Sequence, residues 1–377
     1  MAEAGPCSKR TFKQLTTPWP HYACDWSLNS PNFFNVALGS FLPSRANYVQ
    51  VFSLPHGPQE NEADDPLQVV SEPLLVDYVA TKVMWSPTTI KNSEYLAASG
   101  DGIYVWRANE ANVGETGSFT QTGRLMARQA NRRASLDSNF RAEGSTEGGG
   151  NPPAPVTSFD WSRMDPTLLV TASYDTTCTL WSLETGAIKT QLIAHDKEVF
   201  DVAFSPVSAD SFVSVGADGS LRLFDVRTLD HSTILYESPD ARPLLRVAWN
   251  PHDPNYISCF SLDAKSVIVM DVRMPSVPAA DLGEHGSSVV AMRWSPTSSS
   301  HIMTCDSNTV RLWDLSSNTT GETEGVRTSW ILDLPSVLGR SAPIKGDALP
   351  IQSVLWSAMA ADWIAVTGPE QISLLRI

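Results

Sequence analysis

Short apolar runs that end in an aromatic residue recur along this chain, and most lead directly into a polar turn, often Ser-Pro or Asn-Pro. The copies are YACDW ending at Trp26, KVMW at Trp85, VTSFDW at Trp161, VFDVAF at Phe204, LRVAW at Trp249, VVAMRW at Trp294 and IQSVLW at Trp356. A second β-rich segment follows each one: YVQVF (Phe52), IYVW (Trp106), CTLW (Trp181), LRLF (Phe224), VIVM (Met270), VRLW (Trp313) and ISLL (Leu375). From the second unit onward the two markers stand about 20 residues apart, as Trp161 and Trp181 do, while the spacing between units varies widely. Each unit therefore has a fixed middle, and extra residues collect between units.

Alternation and β-branched or aromatic residues mark these runs as strands, and Gly100-Asp101-Gly102 and Ala217-Asp218-Gly219 supply turns between them. A unit of about 40–45 residues with four short strands is a WD40 blade. The expected fold is all-β: a seven-bladed WD40 β-propeller forming a single domain over residues 1–377. The last unit stops at Leu374-Leu375-Arg376-Ile377 and leaves no room for an outer strand, so the N-terminal segment Thr11–Leu15 is expected to close the last blade. Closure removes the open edges of a sheet. The Trp-Asp dipeptide survives intact only at Trp313-Asp314, so spacing carries more weight than the dipeptide.

Three stretches fall outside the blade spacing and read as insertions: 55–73, which is acidic and proline-bearing; 109–155, which ends in EGGGNPPAP; and 316–350. The first two have too little apolar surface to offset ordering entropy and read as disordered. The third holds an apolar island, Trp330–Leu334, expected to dock on the ring, with partner binding as the alternative. Arg132-Arg133-Ala134-Ser135, in the second insertion, has the form of a basophilic kinase site, with Ser135 as the acceptor; a chance match in a solvated loop is the competing reading.

The formal net charge of −14 opposes general affinity for nucleic acid or anionic membranes. Cys7, Cys24, Cys178, Cys259 and Cys305 are too sparse for a disulfide framework or a zinc site and read as reduced thiols. The N-terminus lacks the apolar core of a signal peptide, and no apolar run is long enough to span a bilayer. These features predict a cytoplasmic and nuclear protein. HExxH, GxxxxGK[ST], GxSxG and CxxC are all absent, and the triple glycine Gly148–Gly150 follows no strand. The expectation is a chain without catalysis, cofactor or metal.

His195 precedes an inner strand, and Asp218 lies 23 residues further on in a turn. The pair reads either as a structural hydrogen-bond network or as a catalytic dyad. The structural reading is preferred, because no nucleophile motif accompanies it and the layout repeats. His285 has the same spacing to Asn308, so its carboxylate is either missing or supplied by Asp306; Asp175 and Asp101 occupy matching turns without an upstream histidine.

Across residues 156–315 the strings IAHDKEVFDVAFS, SVGADGSLRLFDVR and PLLRVAWNPHDPNYI, with the later DWIAV, are similar to the WD40 scaffold family that contains plant Transparent Testa Glabra and the animal DDB/cullin-associated factor. The resemblance implies a non-catalytic scaffold for DYRK- or HIPK-type kinases or for transcription factors. It also implies, as an alternative, a substrate receptor of a cullin-4 ubiquitin ligase. For the latter, Phe224-Asp225-Val226-Arg227 and Met270-Asp271-Val272-Arg273 resemble the WDxR box of such receptors, although both lack its tryptophan. The competing reading makes Asp225, Arg227, Asp271 and Arg273 strand-end ion pairs of little energetic weight. An enzyme with a site at the channel mouth is a third, less favoured possibility.

Overall fold

The computed structural model describes residues 12–28, 34–43, 46–54, 68–90, 92–109, 118–126, 154–228, 231–283, 285–316, 327–333 and 350–377. They form seven antiparallel sheets arranged as the blades of a propeller. The inner strands are His21–Trp26, Val83–Trp85, Val156–Trp161, Val199–Phe204, Leu244–Trp249, Val289–Trp294 and Ser353–Trp356. Each ends at the first sequence marker, and the second marker lies in the third strand of the same blade. Successive strands run outward as a meander, so the ring has two faces. The inner strands start at what we term the entry face, where outer strands connect to the next blade. They finish at the exit face, where inner strands turn into second strands and third strands into outer ones.

Blade 7 has three consecutive strands, and its outer position is taken by Phe12–Thr16, antiparallel to Gln371–Arg376 with Gln14 opposite Ser373. Blade 1 splits its outer position between Gln68–Val69 and Leu74–Val76, both paired with Asn47–Leu54.

The three insertions need correction. Gln68–Val69 lies in the first, Phe119–Leu125 in the second and Arg327–Asp333 in the third, and each is an outer strand of its blade. Trp330–Asp333 of the island expected to dock on the ring belong to the outer strand Arg327–Asp333, with Ile331 opposite Arg311. An outer strand has one neighbour instead of two and much of its surface in water, so FTQTGRL looks like a loop on composition; only its last residue is buried. Residues 55–67, 110–117, 127–153, 317–326 and 334–349 of these stretches, with Ser135 among them, and Cys7 lie outside the described residues.

The apolar core is divided into seven clusters, one at every junction between blades. Trp26, Leu38 and Phe52 of blade 1 meet Leu355, Trp363 and Leu374 of blade 7. Ala97, Ile103 and Val105 of blade 2 meet Phe159, Trp161 and Trp181 of blade 3. Both faces of each sheet are thus buried, which is why Leu168–Ser173 is buried at all six positions instead of alternating. Cys24, Cys178, Cys259 and Cys305 are free thiols inside these junctions, and burial pushes Cys178 and Cys259 up to about 12.

The recurrent Ser or Asn after the first marker has a local cause. The buried hydroxyls of Ser86, Ser162, Ser205, Ser295 and Ser357 accept amide hydrogens across the first turn of their blades, and Asn250 does the same through its side-chain carbonyl. The indoles of Trp161, Trp249 and Trp356 each donate to the carbonyl five residues on, closing that turn from the other side.

The seam beside the closing strand contains His21, which is fully buried. Its Nδ1 lies 3.3 Å from Thr17 Oγ1, and its Nε2 has no hydrogen-bond partner among the described residues. Burial holds the imidazole down at about 4, against about 6.5 in the unfolded chain. A depressed histidine adds stability that is fully present above the unfolded value and is lost as the pH falls through the folded one. Protonation is thus expected to cost on the order of 3 kcal/mol between pH 6.5 and 4. Melting temperatures of wild type and His21→Gln should converge as the pH is lowered across this window; parallel curves would remove His21 from the acid response.

Candidate interaction surface

On the entry face the histidine networks are built as follows. His195, whose side chain is fully enclosed, places Nδ1 2.9 Å from Asp218 Oδ1 and Nε2 2.7 Å from Ser214 Oγ. Ser220 donates to the same carboxylate through its amide and its hydroxyl. Burial alone would raise the Asp218 carboxyl, but the hydrogen bond and charge of His195 and the two Ser220 donors outweigh it and hold the group well below the usual range. In blade 6, His285 Nε2 and the Trp313 indole converge on Thr304 Oγ1 at 2.8 and 2.7 Å. The carboxylate comes from Asp306, 3.3 Å from His285 Nδ1, while its other oxygen accepts the amides of Asn308 and Thr309. Blade 3 has no histidine; Asp175 accepts from the amide and hydroxyl of Thr177. The hydrogen bonds of these sets tie turns to strands.

The exit face bears the two Asp-x-Arg elements in adjacent blades. Arg227 donates through Nε and Nη2 to the two oxygens of Asp225, and Arg273 repeats the bidentate pairing with Asp271. The hydrogen bonds from Arg227 bring the Asp225 carboxyl down to about 2, and those from Arg273 lower Asp271. The arginine side chains are 69% and 59% exposed. Two guanidinium planes are thus held at matching positions of neighbouring blades with open faces. Met274 and Val277 beside the second pair are also exposed.

The central channel contains groups that the sequence pattern did not single out. Asp25 Oδ2 accepts the Trp85 amide and Asp160 Oδ2 accepts the Phe204 amide, in each case from the inner strand of the next blade. Asp201 accepts from Ser158 Oγ of the preceding blade and from the Val247 amide of the following one. Burial raises Asp25 to about 6, against the pull of Arg293, and raises Asp160. Each carboxylate staples two blades, and the amide it accepts opposes the shift that burial imposes. Lys82 Nζ stands 3.7 Å from Asp201, and Arg246 and Arg293 add further positive charge to the lining. The signal was legible: all six residues sit one or three positions before a first marker. No group of three His, Cys, Asp or Glu side chains arranged for a metal occurs among the described residues. No described helix is long and apolar enough to cross a membrane.

With this geometry established, the relatives become informative. The family described as "WD domain, G-beta repeat" matches residues 148–182, 186–225 and 276–314. A protein of Dictyostelium discoideum named "DDB1- and CUL4-associated factor 7 homolog" is 39% identical over 371 residues, covering 98% of this chain and 99% of its own. The chain belongs to the DDB1- and CUL4-associated factor 7 family of WD-repeat proteins. A WD repeat-containing protein of Schizosaccharomyces pombe is 35% identical over 81% of this chain and 70% of its own length. One from Saccharomyces cerevisiae is 34% identical over 80% of this chain and 57% of its own. A WD40 propeller with a relative of that name over nearly its whole length supports a protein-interaction scaffold or adaptor role.

The blade 6 network should behave as one unit. Trp313→Phe and Thr304→Val are each expected to lower stability by about 1–3 kcal/mol, since each leaves a buried polar partner unpaired. Together they should cost clearly less than the sum, read from a double-mutant cycle of thermal or denaturant unfolding. Strict additivity would separate the two side chains.

Proposed function

We propose that this chain is a non-catalytic scaffold that assembles regulatory complexes in the cytoplasm and nucleus, holding DYRK- or HIPK-type kinases or transcription factors together. The observation that carries this reading is end-to-end similarity to a DDB1- and CUL4-associated factor 7 homologue. Endogenously tagged protein, purified from its native cell and analysed by quantitative mass spectrometry, should recover such a kinase or such factors in near-stoichiometric amount. Recovery of the chain alone would overturn the reading.

A second reading, receptor of a cullin-4 ligase, is favoured by one specific feature: exposed Arg227 and Arg273 on adjacent blades of one face. The Dictyostelium relative's name points the same way. Arg227→Ala with Arg273→Ala should weaken binding to the purified DDB1 adaptor by about tenfold or more, because arginines set in a contact are frequent hot spots. Stability should change by less than about 1 kcal/mol, since exposed ion pairs contribute little. Undiminished adaptor binding by a folded double variant would return these residues to strand-end ion pairs.

A further inference from the structure

The entry-face half of the channel differs in sign from the rest of the protein. The chain has a formal net charge of −14, yet this cavity of about 120 Å³ is lined by three cations, Lys82, Arg246 and Arg293, against one carboxylate, Asp201. Asp201 is already engaged by Ser158, the Val247 amide and Lys82. Arg293 makes no hydrogen bond or ion pair at contact distance among the described residues. Its nearest compensation is electrostatic, from Asp25 deeper in the channel. Arg246 uses one nitrogen on its own strand's Leu245 carbonyl and points another at Tyr22 Oη, 3.5 Å away. The cavity therefore holds positive charge in excess of its internal partners, in a walled space where a field is focused and poorly screened.

The rim of the same mouth is apolar. Tyr22 and Phe41 form a tilted pair with ring centroids 6.3 Å apart; both are exposed, as is Val290 across the opening. A bare ion would satisfy the cations and leave the apolar rim unused. Nucleic acid is disfavoured by the overall charge.

We infer that the entry-face mouth is a docking site for a partner segment that inserts an anionic side chain between Arg246 and Arg293 and lays apolar residues on Tyr22, Phe41 and Val290. The anion is the carboxylate of an aspartate or glutamate. This deepens the scaffold reading and rests on it, assigning one partner to the entry face and leaving the Asp-x-Arg elements of the exit face for another.

The test selects peptides from a random 12-residue library on the immobilised full chain, then measures affinities of the selected sequences by fluorescence anisotropy. Selected peptides should carry an acidic residue beside an aromatic or large aliphatic one. Arg246→Glu should weaken them by about tenfold or more and Arg246→Gln by less, with melting temperatures near wild type, whereas Arg227→Ala should leave them unchanged. Replacing the acidic residue by phosphoserine should weaken binding, and tighter binding would overturn the assignment to a carboxylate. Failure to select any peptide, selection of peptides without acidic residues, or equal affinity after Glu→Gln in the peptide would overturn the assignment. In the cellular purification, Arg246→Glu should lose at least one partner; retention of every wild-type partner would defeat this inference and leave the scaffold standing, and absence of partners from wild type would defeat the scaffold itself.

Discussion

No sheet in this molecule has a core of its own. Each is covered on its two faces only by its neighbours, and the apolar side chains gather in seven clusters, one per junction. A blade removed from the ring would expose two apolar faces, so stability is shared around the circle. The ring closes only if Phe12–Thr16 reaches Gln371–Arg376. The same sharing explains the polar interior: Asp25, Asp160 and Asp201 reach across junctions to amides of the next inner strand, so the channel lining ties the blades together as well as enclosing space.

This constraint also governs what could be read in advance. Inner and third strands are packed from both sides and end on bulky wedges such as Trp161 and Trp181, both buried, so spacing alone located all seven blades and the need for a closing strand. Outer strands obey a weaker rule. AIKTQLI has no fully buried residue, and RTSWILD sits in a Ser- and Thr-rich stretch, so neither composition nor alternation separated strand from connection there. The histidine pairs were visible through repeated spacing, and Asp306 was within reach as the substitute carboxylate for His285. Lys82, Arg246 and Arg293 were in plain view inside the marker strings but carried no motif. Their meaning comes from seven inner strands converging on one axis, which a linear pattern does not express.

The two faces divide the chemistry. On the exit face, arginines are held flat against aspartates of the same turn and remain open to solvent. On the entry face, His195 and His285 are engaged internally, while the apolar rim of the mouth stands exposed beside the cations that line it. A scaffold that joins two proteins needs two non-overlapping surfaces, and a ring supplies them on opposite sides without requiring either loop set to move.

The seam has a consequence for how the protein is made. The strand that completes blade 7 leaves the ribosome first, and its partner follows after nearly the whole chain, a delay of tens of seconds at ordinary synthesis rates. Throughout that time Phe12–Thr16 has an unpaired backbone and blade 1 has one uncovered face, both open to unwanted pairing. Folding of this ring is therefore finished by an act of waiting, and whatever shelters a short N-terminal strand during synthesis sets the yield of closed propeller.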